Sequence, residues 1–242
     1  MDEFLPDARP GPTAARPLLG LTLLLVEDSR FASEAVRLMA VRSGARLRRA
    51  DCISSARRHL GTYRPEVAIV DLGLPDGSGL SLISQLDGAA SRPTVILGSS
   101  GLDDPEVEAA AIAAGADGFL AKPIASLASF QQAILVRLPP ELRPRGPRTI
   151  RAEGIEPDRI ALFEDLRHAR AMLSDGQTPA RYVADFLHGV ARTGDDDELL
   201  ASARGLAAQA RDGTDPHGQG ARDLCARLDA LIAERLRHRA AI

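Results

Sequence analysis

The sequence predicts an α/β domain, a doubly wound five-stranded parallel sheet, followed by an all-α helical bundle. Three observations carry that expectation. Between residues 21 and 138 short apolar runs alternate with amphipathic stretches, the pattern of successive βαβ units. From Asp158 onward only helical periodicity remains. Between the two lies PPELRPRGPRTIRAEGIEP (139–157), rich in proline, glycine and arginine and without an apolar period, which reads as a linker.

The elements follow in order. Residues 1–20 are acidic at their start and interrupted by Pro6, Pro10, Pro12 and Pro17, so they read as a disordered leader and not as a signal peptide. Leu21–Val26 (LTLLLV) is a continuous apolar run, as expected of a strand covered on both faces. Phe31, Ala35, Leu38 and Met39 recur at helical spacing over Arg30–Ser43, and Gly44 stops that helix. A weaker strand at Arg46–Ala50 leads to a helix over Ser54–Thr62. Val67–Val70 and Thr94–Leu97 read as the third and fourth strands. Asp104–Ala114 forms the next helix, Gly118–Leu120 a short fifth strand and Ser126–Leu138 a last helix. The bundle (158–242) is expected to hold helices over 158–174, 179–193, 195–211 and 219–240.

Composition narrows the function. With 45% apolar residues and a formal net charge of −3, nothing pushes the chain as a whole toward nucleic acid or an acidic membrane. No run approaches the roughly 18 apolar residues that span a bilayer. Cys52 and Cys225 belong to no metal-like cluster, which fits reduced thiols in a cytoplasmic protein. Lysine and arginine total 30, yet Lys122 is the only lysine. An ammonium kept at one position in an arginine-rich chain asks for a chemical reason.

Glu27 and Asp28 follow the first strand, and Asp71 follows the third. Ligand chemistry in a doubly wound sheet belongs at the carboxyl ends of its strands. If the strand order is 2-1-3-4-5, these strands are neighbours and the three acids converge. Taken singly each could be a helix cap, Asp28 before the helix starting at Arg30 above all. Clustered, they would repel one another unless a divalent cation, Mg2+ by its preference for carboxylates and water, sits among them.

Three motifs then carry a resemblance: LLLVEDS, VDLGLPDGSG with Asp71, Pro75 and Gly79, and AAGADGFLAKP ending in Lys122 and Pro123. Residues 21–138 resemble the receiver domain of bacterial response regulators, whose fold is flavodoxin-like. The resemblance implies that Asp71 accepts a phosphoryl group from a phosphohistidine on a histidine kinase or histidine phosphotransfer protein. It implies Asp28 and Asp71 as direct Mg2+ ligands, with the Gly73 backbone carbonyl, and Glu27 acting through water. Lys122 would meet the phosphoryl charge as a compact ammonium. The backbone of Leu72 and Gly101 would bind the phosphoryl oxygens. The hydroxyl at the end of the fourth strand is Ser100 by the family's spacing back from Lys122 and Ser99 by strand length. Phe119 falls at the family's aromatic switch position. Ser78, where the family often has Asp, and the bare Gly73 are departures that bear on the lifetime of the phosphoryl group.

The bundle matches no output domain. Its arginines nearly balance its acids, and it has no lysine-rich face, which speaks against nucleic acid as a partner. His168 and His188 lack the Lys-Gly pattern of phosphotransfer domains and read as surface or packing residues. Asp195–Glu198 reads as a helix N-terminus, and Leu224, Leu228 and Leu231 as an apolar stripe for a bundle core or a dimer seam. The expectation is a phosphorylation-switched regulator, not an enzyme, whose bundle binds a protein partner or its own copy. The alternative is a transcription factor with a helical DNA-binding output. A haloacid-dehalogenase-like phosphatase, which also uses an Asp nucleophile, would carry it after the first strand.

Overall fold

The computed structural model describes residues 11–102, 104–146, 158–175, 177–211 and 219–238. The α/β half runs β1 (Thr22–Val26), α1 (Arg30–Arg42), β2 (Arg46–Ala50), α2 (Ile53–Leu60) and β3 (Val67–Asp71). A small hairpin of β4 (Gly73–Leu74) and β5 (Gly77–Ser78) follows, then α3 (Gly79–Asp87), β6 (Val95–Ser100), α4 (Pro105–Ala113), β7 (Gly118–Ala121) and α5 (Leu127–Leu135). Five strands pair in the order β2-β1-β3-β6-β7. Every pairing in this sheet is parallel. With the hairpin strands set aside, this is the expected 2-1-3-4-5 arrangement.

Alternation along the strands builds two cores. Leu23, Leu25, Ile69 and Leu97 pack with Met39, Phe130 and Ile134 on one side. Leu24, Val26, Val70 and Ile96 pack with Ala56, Leu82, Ile83 and Ala111 on the other. Central strands buried on both faces explain the unbroken apolar runs. The edge strand β2 instead exposes Arg46, Arg48 and Arg49, charges that discourage pairing with another chain.

The sequence pattern assigned no helix between the third and fourth strands, yet α3 lies there. Gly79 and the serines of GLSLISQLD are weak helix formers, and the helix is held by burial of Leu82, Ile83 and Leu86. Its first residue must be glycine, because a Cβ at Gly79 would stand 2.0 Å from the Asp71 carbonyl oxygen.

The disordered leader expected over 1–20 is corrected for residues 11–20. Leu18 is fully buried in the core, and its N–H donates to the Ser43 carbonyl at 2.9 Å. A leucine pair directly before β1 has apolar surface to bury, which outweighs the local prolines. Residues 1–10 lie outside the described residues. The expected linker also begins as packed structure: Pro140–Leu142 form one 3-10 turn, and Arg143 Nε donates to the Leu138 carbonyl at 2.6 Å. Residues 147–157 lie outside the described residues.

The helical half holds α6 (Arg159–Asp175), α7 (Ala180–Thr193), α8 (Asp197–Arg211) and α9 (Gln219–His238). Leu166, Val183, Leu187, Val190, Ala203, Leu206, Leu228 and Ile232 form its core. Leu228 and Leu231 of the stripe are buried there and Leu224 packs against them. Asp196 accepts from the Leu199 N–H at 3.0 Å, so the acidic run does open a helix.

Candidate phosphoacceptor site

The carboxyl ends of the sheet bring the predicted residues together. β1 and β3 are adjacent, so Glu27 and Asp28 beyond β1 meet Asp71 at the end of β3. One carboxylate oxygen of each lies within 4.8 Å of the others. Lys122, just beyond β7, reaches across: its Nζ stands 2.8 Å from Glu27 and 3.2 Å from Asp71. Its own N–H donates to the Ser100 carbonyl at 2.8 Å, and the Lys122–Pro123 peptide is cis.

Three carboxylates face a single ammonium; Glu27 and Asp71 are buried, Asp28 and Lys122 half-buried. Burial raises the Glu27 pKa against the pull of Lys122. Burial, and then the neighbouring Asp71, push Asp28 up to about 6. Burial pushes Asp71 up to about 7, against the attraction of Lys122 and with Glu27 adding repulsion. Burial alone would lower the Lys122 pKa, but Asp71 and Glu27 outweigh it and hold the ammonium protonated. The pocket is therefore short of positive charge.

That shortage, with carboxylate oxygens as the donor set, fits a hard divalent cation such as magnesium. Asp28, Asp71 and Glu27 would hold it, and Gly73 lines the same cavity. The cavity measures about 60 Å³ and is also lined by Ser100, Gly101 and Lys122.

The two serines separate. Ser99 Oγ donates to the Leu120 carbonyl at 2.9 Å, tying the β6–β7 edge together. Ser100 Oγ accepts from the Leu102 N–H at 3.1 Å and borders the cavity. Phe119 packs against the α3–α4 side of the core, its ring 3.3 Å from where a Gly98 Cβ would be. Leu72 is not brought in: its N–H donates to the Ser99 carbonyl at 3.0 Å, so it is engaged in the sheet and does not face the cavity.

Sequence reasoning missed the residues that roof the site, because they come from the bundle. Asp185, Gly189 and Thr193 of α7 line the cavity. The Tyr182 hydroxyl donates to Asp28 Oδ2. Burial and then the Asp28 charge keep that phenol protonated, well above its usual range. Asp165 of α6, 1% exposed, accepts from the Ser29 hydroxyl and from the Arg30 and Phe31 N–H groups. One local signal existed: Asp165 interrupts the apolar face of its own helix beside Leu166 and Ala169.

Residues 23–134 match the family model described as the response regulator receiver domain. The Escherichia coli KDP operon transcriptional regulatory protein KdpE is 32% identical over 101 residues, which is 42% of this chain and 44% of that protein. The virulence transcriptional regulatory protein PhoP of Shigella flexneri is 33% identical over 104 residues, 43% of this chain and 46% of that protein. The chain thus spans less than half the length of these relatives. Among solved structures, chemotaxis response regulator CheY4 of Vibrio cholerae is 23% identical with a TM-score of 0.45, covering 49% of this chain and 98% of that one. The receiver domain of Francisella response regulator 1452 is 19% identical with a TM-score of 0.42, covering 48% and 95%.

Proposed function

We propose, from the premise that residues 23–134 are a response regulator receiver domain, that Asp71 accepts a phosphoryl group and thereby switches what the helical bundle binds. The observation that carries this reading is the placement of the chain's only lysine between Glu27 and Asp71 at 2.8 and 3.2 Å. A carboxylate is a weak nucleophile, so transfer to it depends on positioning and charge neutralisation. An Asp71 oxygen forms the new O–P bond as the P–N bond to the donor's imidazole breaks, and the imidazole leaves with a proton from water. Lys122 meets the charge on the transferred group, and the Ser100 hydroxyl closes the side of the cavity beneath Gly101. A magnesium ion held by Asp28 and Asp71, with Glu27 through water, supplies the remaining positive charge when bound. Phe119 beside Gly98 passes the change to the α4–β7–α5 face.

The donor is a histidine kinase or a histidine phosphotransfer protein, and the protein is a phosphoacceptor, not an enzyme acting on outside substrates. We place it in the cytoplasm, supported by this partner chemistry. No helix among the described residues is long and apolar enough to cross a membrane. The output is a protein contact of the bundle or its dimerisation. A second reading, control of transcription through DNA, is favoured by the names of the relatives. Their similarity, however, spans only 42–43% of this chain. The balanced charge of the bundle gives that reading no electrostatic footing.

The test is incubation with acetyl phosphate and magnesium, read by intact mass and by native mass. Wild type should gain one phosphoryl group and change its association state, and Asp71→Asn should gain none. Equal labelling of the two would end the reading. A salt-dependent shift of random duplex DNA would move the output to the second reading.

A further inference from the structure

The bundle does not hang free beside the receiver; it lies across the pocket. We infer that α6 and α7 form a closed lid over the phosphoacceptor site, latched by Asp165 and Tyr182, and that magnesium and Tyr182 compete for Asp28. Loading the site therefore requires the lid to lift. This rests on the phosphoacceptor reading for its consequence, though not for its geometry.

Several contacts build the lid. The first is a helix cap supplied by another domain. The leading N–H groups of any helix lack partners within it. In α1 two of them, Arg30 and Phe31, donate to Asp165 at 2.9 and 3.0 Å, and the Ser29 hydroxyl adds a third bond at 2.7 Å. All three hydrogen bonds to this buried carboxylate come from the receiver, so without the receiver Asp165 would present a bare anion on the bundle surface. The second contact is the Tyr182 hydroxyl donating to Asp28. The third is Arg192, whose guanidinium donates to the Gly101 carbonyl at 2.9 Å. Beside it two glycines face each other: a Cβ at Gly101 would stand 3.2 Å from Gly189 Cα. Asp185 also lines the cavity, with Oδ1 buried and without a hydrogen-bond partner.

Tyr182, Asp185 and the position of α7 oppose the receiver's chemistry. Magnesium binds carboxylate oxygen at short range and keeps waters in octahedral order around it, so with the Tyr182 hydroxyl on Asp28 Oδ2 and α7 over the small cavity it must displace them to seat its shell. A phosphoryl group on Asp71 would bring negative charge under the Asp185 carboxylate. A donor protein must set its imidazole where α7 now lies. Metal binding and lid closure are thus linked equilibria, each weakening the other. The apparent metal affinity is the intrinsic one reduced by the fraction of open molecules. With an open fraction of about 1–10%, unlatching should tighten magnesium binding roughly tenfold to a hundredfold.

The test uses the full chain as wild type, Tyr182→Phe and Asp165→Asn, with folding checked by circular dichroism. Magnesium is titrated by calorimetry, and the radius of gyration is followed by solution scattering with and without magnesium and beryllofluoride. Tyr182→Phe removes the competing hydroxyl at the site. Asp165→Asn weakens the latch from outside the pocket, so only a lid that moves as a body makes it act on metal. Both variants should bind magnesium at least about tenfold tighter, and wild type should expand on loading. Magnesium affinity and radius unchanged in Asp165→Asn would overturn the lid, and so would tighter binding in Tyr182→Phe alone. Acetyl phosphate labelling separates the two readings. If no protein is labelled but both variants bind magnesium more tightly, the lid stands and the phosphoacceptor reading falls. If all three are labelled at equal rates with equal magnesium affinity, the lid alone falls.

Discussion

Asp71→Asn should make the metal-free protein more stable at neutral pH, while abolishing its chemistry. The Asp71 carboxyl is buried and its pKa is pushed from 3.8 to about 7. Its folded pKa lies above its unfolded one, so the native state holds the proton longer. The stability that this group contributes is then fully present below about pH 4 and is lost as pH rises through that interval to about 7, levelling off above it. Each tenfold difference in proton affinity is worth about 1.4 kcal/mol, which makes the burial cost at most about 4 kcal/mol. Glu27 and Lys122 share in that titration, so about 2–4 kcal/mol is the expected gain at about pH 8. Asparagine keeps the volume and leaves the Lys122–Glu27 pair at 2.8 Å in place. The assay is hydrogen exchange of the Val67–Val70 amides in EDTA, which sit in the central strand and report opening of the whole receiver. Wild type and variant should agree near pH 4 and diverge steadily to pH 7, with the variant better protected. Excess magnesium should close the gap by stabilising wild type more. Equal protection at pH 8, or a weaker variant there, would refute the account of a pocket short of positive charge.

The remaining expectations follow from packing and hydrogen bonding. Ser100→Ala should slow phosphoryl transfer at least about tenfold with little change in stability. Ser99→Ala should lose about 1 kcal/mol from its bond to Leu120 and transfer at the wild-type rate; acetyl phosphate kinetics beside urea denaturation separates them. Gly79→Ala forces a Cβ against the Asp71 carbonyl oxygen. It should cost about 3 kcal/mol or more and lower transfer as well, read by the same pair of assays. Phe130→Ala empties a fully buried site between the sheet and α1 and should cost about 3–5 kcal/mol in urea denaturation.

Most of the receiver was legible because its signals are local. Strands covered on both faces are written as unbroken apolar runs, and the acids that end them sit at fixed chain positions. The bundle helices were legible for the same reason, each having its own apolar stripe. What escaped has a common cause. α3 is short and opens with weak helix formers, and it forms because three apolar side chains find a sheet to cover. Leu18 is ordered by a core built from residues far along the chain. The two serines are told apart only by what lies across from each hydroxyl, the Leu120 carbonyl for Ser99 and the cavity for Ser100. The latch is the extreme case: Ser29 and Asp165 are 136 residues apart, and no periodicity relates them. Asp165 was visible only as an acid out of place on an apolar face.

Lys122 has a further meaning at the level of the whole chain. Most proteins carry many surface amines, so acylation of any one of them leaves the charge of the rest. Here a reagent or modifying enzyme that acts on lysine side chains has a single target. Its side chain is 12% exposed, behind the helices that roof the pocket. Losing that charge would leave Glu27, Asp28 and Asp71 with no lysine among them. The chain is blind to lysine chemistry everywhere except at the ammonium that pairs with Glu27 and Asp71, and there the helices over the pocket stand in the way.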